Sequence, residues 1–262
     1  MRKLAVAALL LLAACPPPKP VARPYPAPSA DELLQAMRKR SSAIRSLRAD
    51  TKVDHLGQGG QRVKVAVALL LARGGKLRME AESPMGGALA TLTSDGTSFA
   101  LLDVRNNRFL AGPAKACNVA RLIQIALEPD DIVEALTGGA PIAEGSAPAG
   151  VSWDPAGREV LELRTPDGGR EVIKLDARDR SWDVVAAERT DGAGKVLWRL
   201  SHEKFSDHGG VRLPERTNLE QPPTGSDARI KFRDVEPNIT PPANIFTLAP
   251  PSGIAVQQAD CP

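Results

Sequence analysis

The sequence predicts a mainly β protein with helices, built as one curved antiparallel sheet packed around helical segments. Three observations carry this prediction. Apolar residues recur with a period of two along much of the chain, short turn signals separate these runs, and one helical interlude divides them into two groups. Consecutive short turns require antiparallel neighbours, because parallel strands need long crossovers.

Ser29 precedes Asp31 and Glu32, and Leu33, Leu34, Met37, Ile44 and Leu47 recur at helical spacing. This predicts an N-capped amphipathic helix that runs to about Leu47. From Ala49 the period becomes two, as in Val63, Val65, Val67, Leu69 and Leu71, then Leu77, Met79 and Ala81. Turn signals at residues 57–60, 74–75, 95–96 and 106–107 divide this region into four or five strands. Helical spacing returns with Val119, Leu122, Ile123 and Ala126, then Ile132, Val133 and Leu136, split at Pro129 and stopped by Gly138 and Gly139. About six strands follow between Glu159 and Val235, with turns at Asp167-Gly168, Asp191-Gly192 and Gly209-Gly210. This second group is more polar, so one side of the sheet faces water while the other curves around apolar contents. The proline-containing segment from Glu236 to Pro262 reads as a wrapping loop.

At the N-terminus, Arg2 and Lys3 precede an apolar run from Leu4 to Leu12 and the small residues Ala13 and Ala14. That is the layout of a secretory signal peptide over residues 1–14. The run is shorter than the roughly 20 residues that span a bilayer, and Pro16 to Pro18 stop it. Leu12-Ala13-Ala14-Cys15 resembles the lipobox of bacterial lipoproteins. The resemblance implies cleavage before Cys15 and palmitate-type acylation of that residue, and two or more chains suffice for stable anchoring. Pro16, where an inner-membrane retention signal carries Asp, implies a lipid-anchored protein of the outer membrane facing the periplasm. The alternative is an ordinary signal peptide that releases a soluble protein. Residues 16–28 carry seven prolines, so residues 15–28 read as an extended tether of roughly 40 Å, and residues 29–262 as one domain.

Without residues 1–14 the chain has 248 residues and a formal charge near +1. Near neutrality gives no support for a nucleic-acid footprint, which usually needs a concentrated basic face, and no nucleic-acid partner is expected. Aromatic residues make up only 3%, so the core is built from Leu, Val, Ile and Ala. With Cys15 acylated, Cys117 and Cys261 remain as an even pair in an oxidising compartment. They are expected to form a disulfide, with free thiols as the alternative. His55, His202 and His208 are scattered, with neither HExxH nor CxxC spacing, so no metal site is expected. Residues 57–60 lack the Lys-Ser/Thr ending of a phosphate loop, and no Gly-x-Ser-x-Gly elbow occurs. The chain is therefore expected to be no enzyme and to need no cofactor.

Three segments carry a family resemblance: Lys76 to Leu92 with its Ser-Pro-Met-Gly loop, Asp131 to Pro141, and Leu213-Pro214 with Ile230 to Val235. In these the chain resembles the LolA/LolB superfamily of lipoprotein-handling proteins, and most of all its outer-membrane receptor branch, LolB. The resemblance implies an incomplete β-barrel closed by helices, around an apolar cavity that holds acyl chains of lipoproteins or lipids. Its expected lining is Val65, Val67, Leu69, Leu77, Met79, Leu92, Phe99 and Leu101. It also implies a membrane-contact loop at Pro84, Met85 and Gly86, with Met85 where the family carries an exposed leucine. The implied role is lipoprotein localisation and insertion by a monomer that receives cargo from a LolA-like periplasmic carrier. The alternatives are a plain turn at residues 84–86, an ordinary core in place of a cavity, and an envelope sensor or structural module that binds a protein partner. Cys117, Cys261 and the C-terminal extension depart from the family pattern.

Overall fold

In a computed structural model, the structure describes residues 20–57, 59–83, 86–177 and 181–261. Helix α1 (Ala30–Ser42) opens with a reciprocal capping box: the Ser29 hydroxyl accepts from the Glu32 amide at 3.2 Å, and the Glu32 carboxylate accepts from the Ser29 amide at 2.6 Å. Leu33, Leu34 and Met37 form its buried stripe. The helix ends earlier than the periodicity suggests, because residues from Ser46 are claimed by the sheet. Ile44 and Leu47 are still buried, but Leu47 is so as part of a strand.

That strand, β1 (Ser46–Leu56), begins a meander through β2 (Arg62–Ala72), β3 (Lys76–Glu82), β4 (Ala88–Asp95), β5 (Ser98–Asp103) and β6 (Arg108–Pro113). Helices α2 (Ala116–Ile123) and α3 (Pro129–Leu136) follow. A second meander comprises β7 (Ala147–Trp153), β8 (Arg158–Arg164), β9 (Arg170–Asp176), β10 (Asp183–Thr190), β11 (Val196–Asp207), β12 (Arg212–Gln221) and β13 (Ser226–Pro237), and β14 (Val256–Gln258) ends the series. The two meanders form one 14-stranded sheet in the order β14-β6-β5-β4-β3-β2-β1-β13-β12-β11-β10-β9-β8-β7, which does not close on itself. The seam is the antiparallel pairing of β1 with β13, in which Thr51 faces Phe232 and Val53 faces Ile230. All pairings are antiparallel except the parallel match of β14 to β6. A twist of roughly 20° per strand pair rolls such a sheet around its helices.

Two strands escape the sequence pattern. Strand β7, Ala-Pro-Ala-Gly-Val-Ser-Trp, has little strand propensity and lies at a sheet edge, the position where a proline within a strand is tolerated. Strand β14 lies in the segment expected to be loop, and its three residues pair with Phe109, Leu110 and Ala111. It is held there by a disulfide between Cys117 and Cys261, with Cα atoms 6.0 Å apart and a sequence separation of 144. Around that link, Asn118 Nδ2 donates to the carbonyls of Pro113 and Ala259 at 2.9 and 2.8 Å, and the Ala259 amide donates to Ala111 at 2.7 Å.

The expected tether is partly bound. The Val21 amide donates to Pro155 O at 3.1 Å, and Trp153 Nε1 donates to Val21 O at 2.7 Å. Arg23 contacts both carboxylate oxygens of the fully buried Glu159, each at 2.9 Å, and its guanidinium lies 5.3 Å from the Trp153 ring centre. Tyr25 stands edge-on to Trp153 and Trp182, at 6.0 and 5.9 Å between centroids. Burial and then the Glu159 carboxylate push its hydroxyl pKa up to about 12. A chain with one tyrosine and three tryptophans thus commits the tyrosine and two of the tryptophans to this strap. The described part of the proposed tether, residues 20–28, is therefore docked beside the β7–β8 turn, because its aromatic and ionic side chains find partners that a free polyproline segment would forgo.

Two outcomes follow for this architecture. A Cys117→Ser/Cys261→Ser chain should lose up to roughly 5 kcal/mol of stability in urea melts, the loop-closure value for so long a ring, and its β14 amides should exchange faster. Tyr25→Ala should release the strap, seen as a red shift of tryptophan emission as Trp153 and Trp182 meet water, with the unfolding midpoint lowered far less than by the disulfide loss.

Candidate functional site

Alternation along the strands builds the concave face. On β2, Val63, Val65, Val67 and Leu69 point inward, and the register sets Val53 beside Val65, Val67 beside Ala81, and Leu69 beside Met79. Across the seam, Leu219, Ala228 and Ile230 complete the wall, and Leu122, Ile123, Ile125 and Ile132 cover it from the helical side. These residues enclose a mostly apolar cavity of about 370 Å³, within the range of small-molecule sites.

Small side chains leave room along this wall. Ala81 pairs with Ala90 across the β3–β4 ladder, and Ala228 lines the space from β13. Farther along the strands, Leu71 faces Leu77 and Ser94 faces Phe99, and the space is full. This corrects part of the expected lining. Val65, Val67, Leu69, Met79 and Leu101 do line the cavity, whereas Leu77, Leu92 and Phe99 are 0%, 0% and 2% exposed and form the solid core beside it. Period-two spacing says which face a residue takes; it does not say how far the opposite wall lies.

Polar residues ring the mouth. The β5–β6 turn supplies Asp103, Arg105 and Asn106, the end of α2 supplies Arg121 and Gln124, and β1 supplies His55. Asp103 is engaged by Asn106, whose amide N donates to Oδ1 at 3.1 Å and whose Nδ2 donates to Oδ2 at 2.7 Å. Arg121 donates to Asn118 Oδ1 at 3.2 Å and to the Asp260 carbonyl at 3.3 Å. Nδ1 of His55 donates to the Asp227 carbonyl at 2.8 Å, and its Nε2 is buried without a hydrogen-bond partner. Gln124 caps α2 in the left-handed region, and its side chain lies so close to Gly57 that a Cβ there would fall 2.4 Å from Oε1. The β1–β2 turn and α2 therefore close on one another at the mouth, and a side chain at position 57 would have to displace the end of Gln124. None of these mouth residues carries a motif; alternation points to the wall but not to the rim.

Of the expected membrane-contact loop, Pro84 and Met85 lie outside the described residues, as does Cys15. Gly86 is described: its amide donates to Ser83 O at 2.9 Å in the turn joining β3 to β4, next to the strand ends that carry Ala81 and Ala90. Two larger concavities, of about 800 and 1300 Å³, occupy the charged outer face of β1, β2 and β11–β13 and a basic groove beside α1. Paired charges such as Arg216 with Glu203 and Lys64 with Asp54 line the first, and Arg38, Lys39 and Arg40 line the second. Among the described residues, no group of three His, Cys, Asp or Glu side chains could hold a metal ion, and no helix is long and apolar enough to cross a membrane.

Buried polar groups tie the helices to the sheet. His202 accepts at Nδ1 from Thr217 and donates from Nε2 to Gly139 O, both at 2.9 Å. Arg40 donates to Gly138 O at 2.6 Å and Arg212 O at 2.8 Å. Burial pushes the His202 pKa from 6.5 down to about 4. On α3, burial and then the neighbouring Asp130 and Glu128 push the Asp131 pKa from 3.8 up to about 6.

No protein-family model and no curated protein sequence matches this chain. Solved structures do match its fold. A LolA superfamily protein from Nitrosomonas europaea superposes with a TM-score of 0.58 at 14% identity, covering 85% of this chain and 99% of that one. A DUF1329 family protein from Desulfovibrio piger gives 0.58 at 11% identity, over 83% and 96%. A domain provisionally assigned to outer membrane lipoprotein sorting, from Vibrio parahaemolyticus, gives 0.55 at 12%, over 84% and 97%. The chain thus has the LolA-like fold: an open, curved, largely antiparallel sheet with helices on its concave side.

The two shifted groups act on stability with opposite signs. Between about pH 4 and 6.5 the unfolded chain binds more protons than folded His202, so this residue costs stability as pH falls. Between 3.8 and about 6 folded Asp131 binds more protons than unfolded, so it costs stability as pH rises. Asp131→Asn should therefore raise the melting temperature above pH 6 and leave a steeper decline on acidification, measured by thermal melts from pH 4 to 8.

Proposed function

We propose that this protein binds an acyl chain of a lipid or lipoprotein in its half-barrel cavity, as a non-enzymatic lipoprotein held on the periplasmic face of the outer membrane by Cys15. The observation that supports it is the mostly apolar space of about 370 Å³, open at a polar mouth. At roughly 30 Å³ per water-sized group it has room for about a dozen methylenes. Their transfer from water contributes roughly 10 kcal/mol at about 0.8 kcal/mol each, against an association cost of about 4–15 kcal/mol. The two are of similar size, so the chain's burial is offset in large part by the cost of association and the bound state stays exchangeable. Val, Leu, Ile and Ala walls with Met79 suit alkyl chains, which have no fixed shape to match.

Such a protein can take an acyl chain from a periplasmic carrier and pass it to the bilayer without nucleotide or cofactor, each step following differential affinity. That is the basis for a part in lipoprotein localisation, with the residue 84–86 loop as the proposed contact with membrane.

The test uses the Cys15→Ser chain freed of residues 1–14, which should purify without detergent. Native mass spectrometry should reveal co-purified lipid, and a fluorescent fatty acid should be taken up and displaced by dodecanoate. Ala81→Phe fills the cavity beside Ala90, and uptake should fall at least tenfold while the melting temperature moves by only a few degrees. Uptake unchanged by Ala81→Phe sets the chain elsewhere and overturns the cavity as its site.

A further inference from the structure

Resting on the reading of the cavity as an acyl-chain site, we infer that its ligand is a single-chain amphiphile with an anionic head, a fatty acid or a lysophospholipid, seated between Arg105 and Arg121. The two guanidinium groups stand at the mouth of the apolar space, one on the β5–β6 turn and one on the last turn of α2. Arg105 makes no ion pair or hydrogen bond among the described residues. Arg121 is oriented by two neutral acceptors, Asn118 Oδ1 and the Asp260 carbonyl, which leave its charge uncompensated. The carboxylate on this rim, Asp103, is held by the neutral donors of Asn106 and offsets one of the two cations, which leaves the rim one positive charge in excess. His55 adds a buried nitrogen, Nε2, with no partner, and Gln124 is the remaining polar side chain.

With two guanidinium groups against one carboxylate, the opening of this low-dielectric cavity carries a net positive charge where a buried chain must end. The guanidinium fork matches the paired oxygens of a carboxylate or phosphate. The volume admits one chain rather than several. The acylated cysteine of a lipoprotein carries no anionic group beside its chains, so this rim favours a lipid over a lipoprotein as the preferred occupant. The C-terminal segment contributes directly: the disulfide at Cys117 and the Asp260 carbonyl both position the helix that carries Arg121.

Displacement of a fluorescent probe from the Cys15→Ser chain by dodecanoate, by a twelve-carbon lysophosphatidylglycerol and by uncharged dodecanol tests the inference, repeated with Arg105→Gln/Arg121→Gln. At low salt at least one anionic ligand should bind about tenfold or more tightly than dodecanol, the scale of one charge-assisted contact. The double variant should collapse that difference, as should high salt. Preference for dodecanoate assigns a carboxylate head, and preference for the lysophospholipid assigns a phosphodiester. Equal affinity for dodecanol and both anions, or an anion preference untouched by the double variant, overturns the head-group inference and leaves the cavity standing. Failure of every chain to displace the probe overturns the cavity reading itself.

Discussion

The pairing of β1 with β13 is the constraint on which the rest depends. It joins residues near the start of the domain to residues near its end and turns two meanders into a single sheet. Without that seam each meander would leave a long unpaired edge, and neither could enclose anything. With it, Val53 and Ile230 come side by side, and the wall runs unbroken from Leu101 to Leu219. Because so non-local a ladder must close a large loop before its hydrogen bonds form, the entropy cost falls on the very contact that creates the concave surface.

The chain's two ends return to the sheet. β14 lies along β6 and is pinned there by the disulfide, while the strap of residues 21–25 packs on the β7–β8 turn and the side chains beside it. An open sheet offers unpaired strands to neighbouring molecules, and covering them is a general remedy, which β14 supplies at β6. This cover also fixes α2 and with it one side of the cavity mouth.

The cavity itself is a local shortage of side-chain volume. Ala81, Ala90 and Ala228 stand where larger residues would have filled the interior, whereas Leu71, Leu77, Leu92 and Phe99 pack solidly only a few residues away. A natural core rarely leaves such space unfilled, and the buried clamps at His202 and Arg40 keep the helices from settling onto the gap. The low aromatic content is uneven in its effect: the walls are soft and aliphatic, while the scarce Tyr and Trp side chains are concentrated on the strap.

Residue order alone determined the strand and helix types, the inward face of β2 through β5, and the pairing partner available to Cys117, because alternation, turn chemistry and the cysteine count are local or arithmetical properties. The length of α1, the strands β7 and β14, the docking of the strap and the split between hollow and solid interior were decided in three dimensions. Each depends on what lies opposite: Leu47 joins a strand because β2 and β13 flank it, and Leu77 is core because Leu71 faces it. The rim of Arg105, Arg121 and His55 is brought together by tertiary structure in the same way, from a turn, a helix end and a strand far apart in the chain, since no spacing in one dimension encodes a distance across a curved sheet.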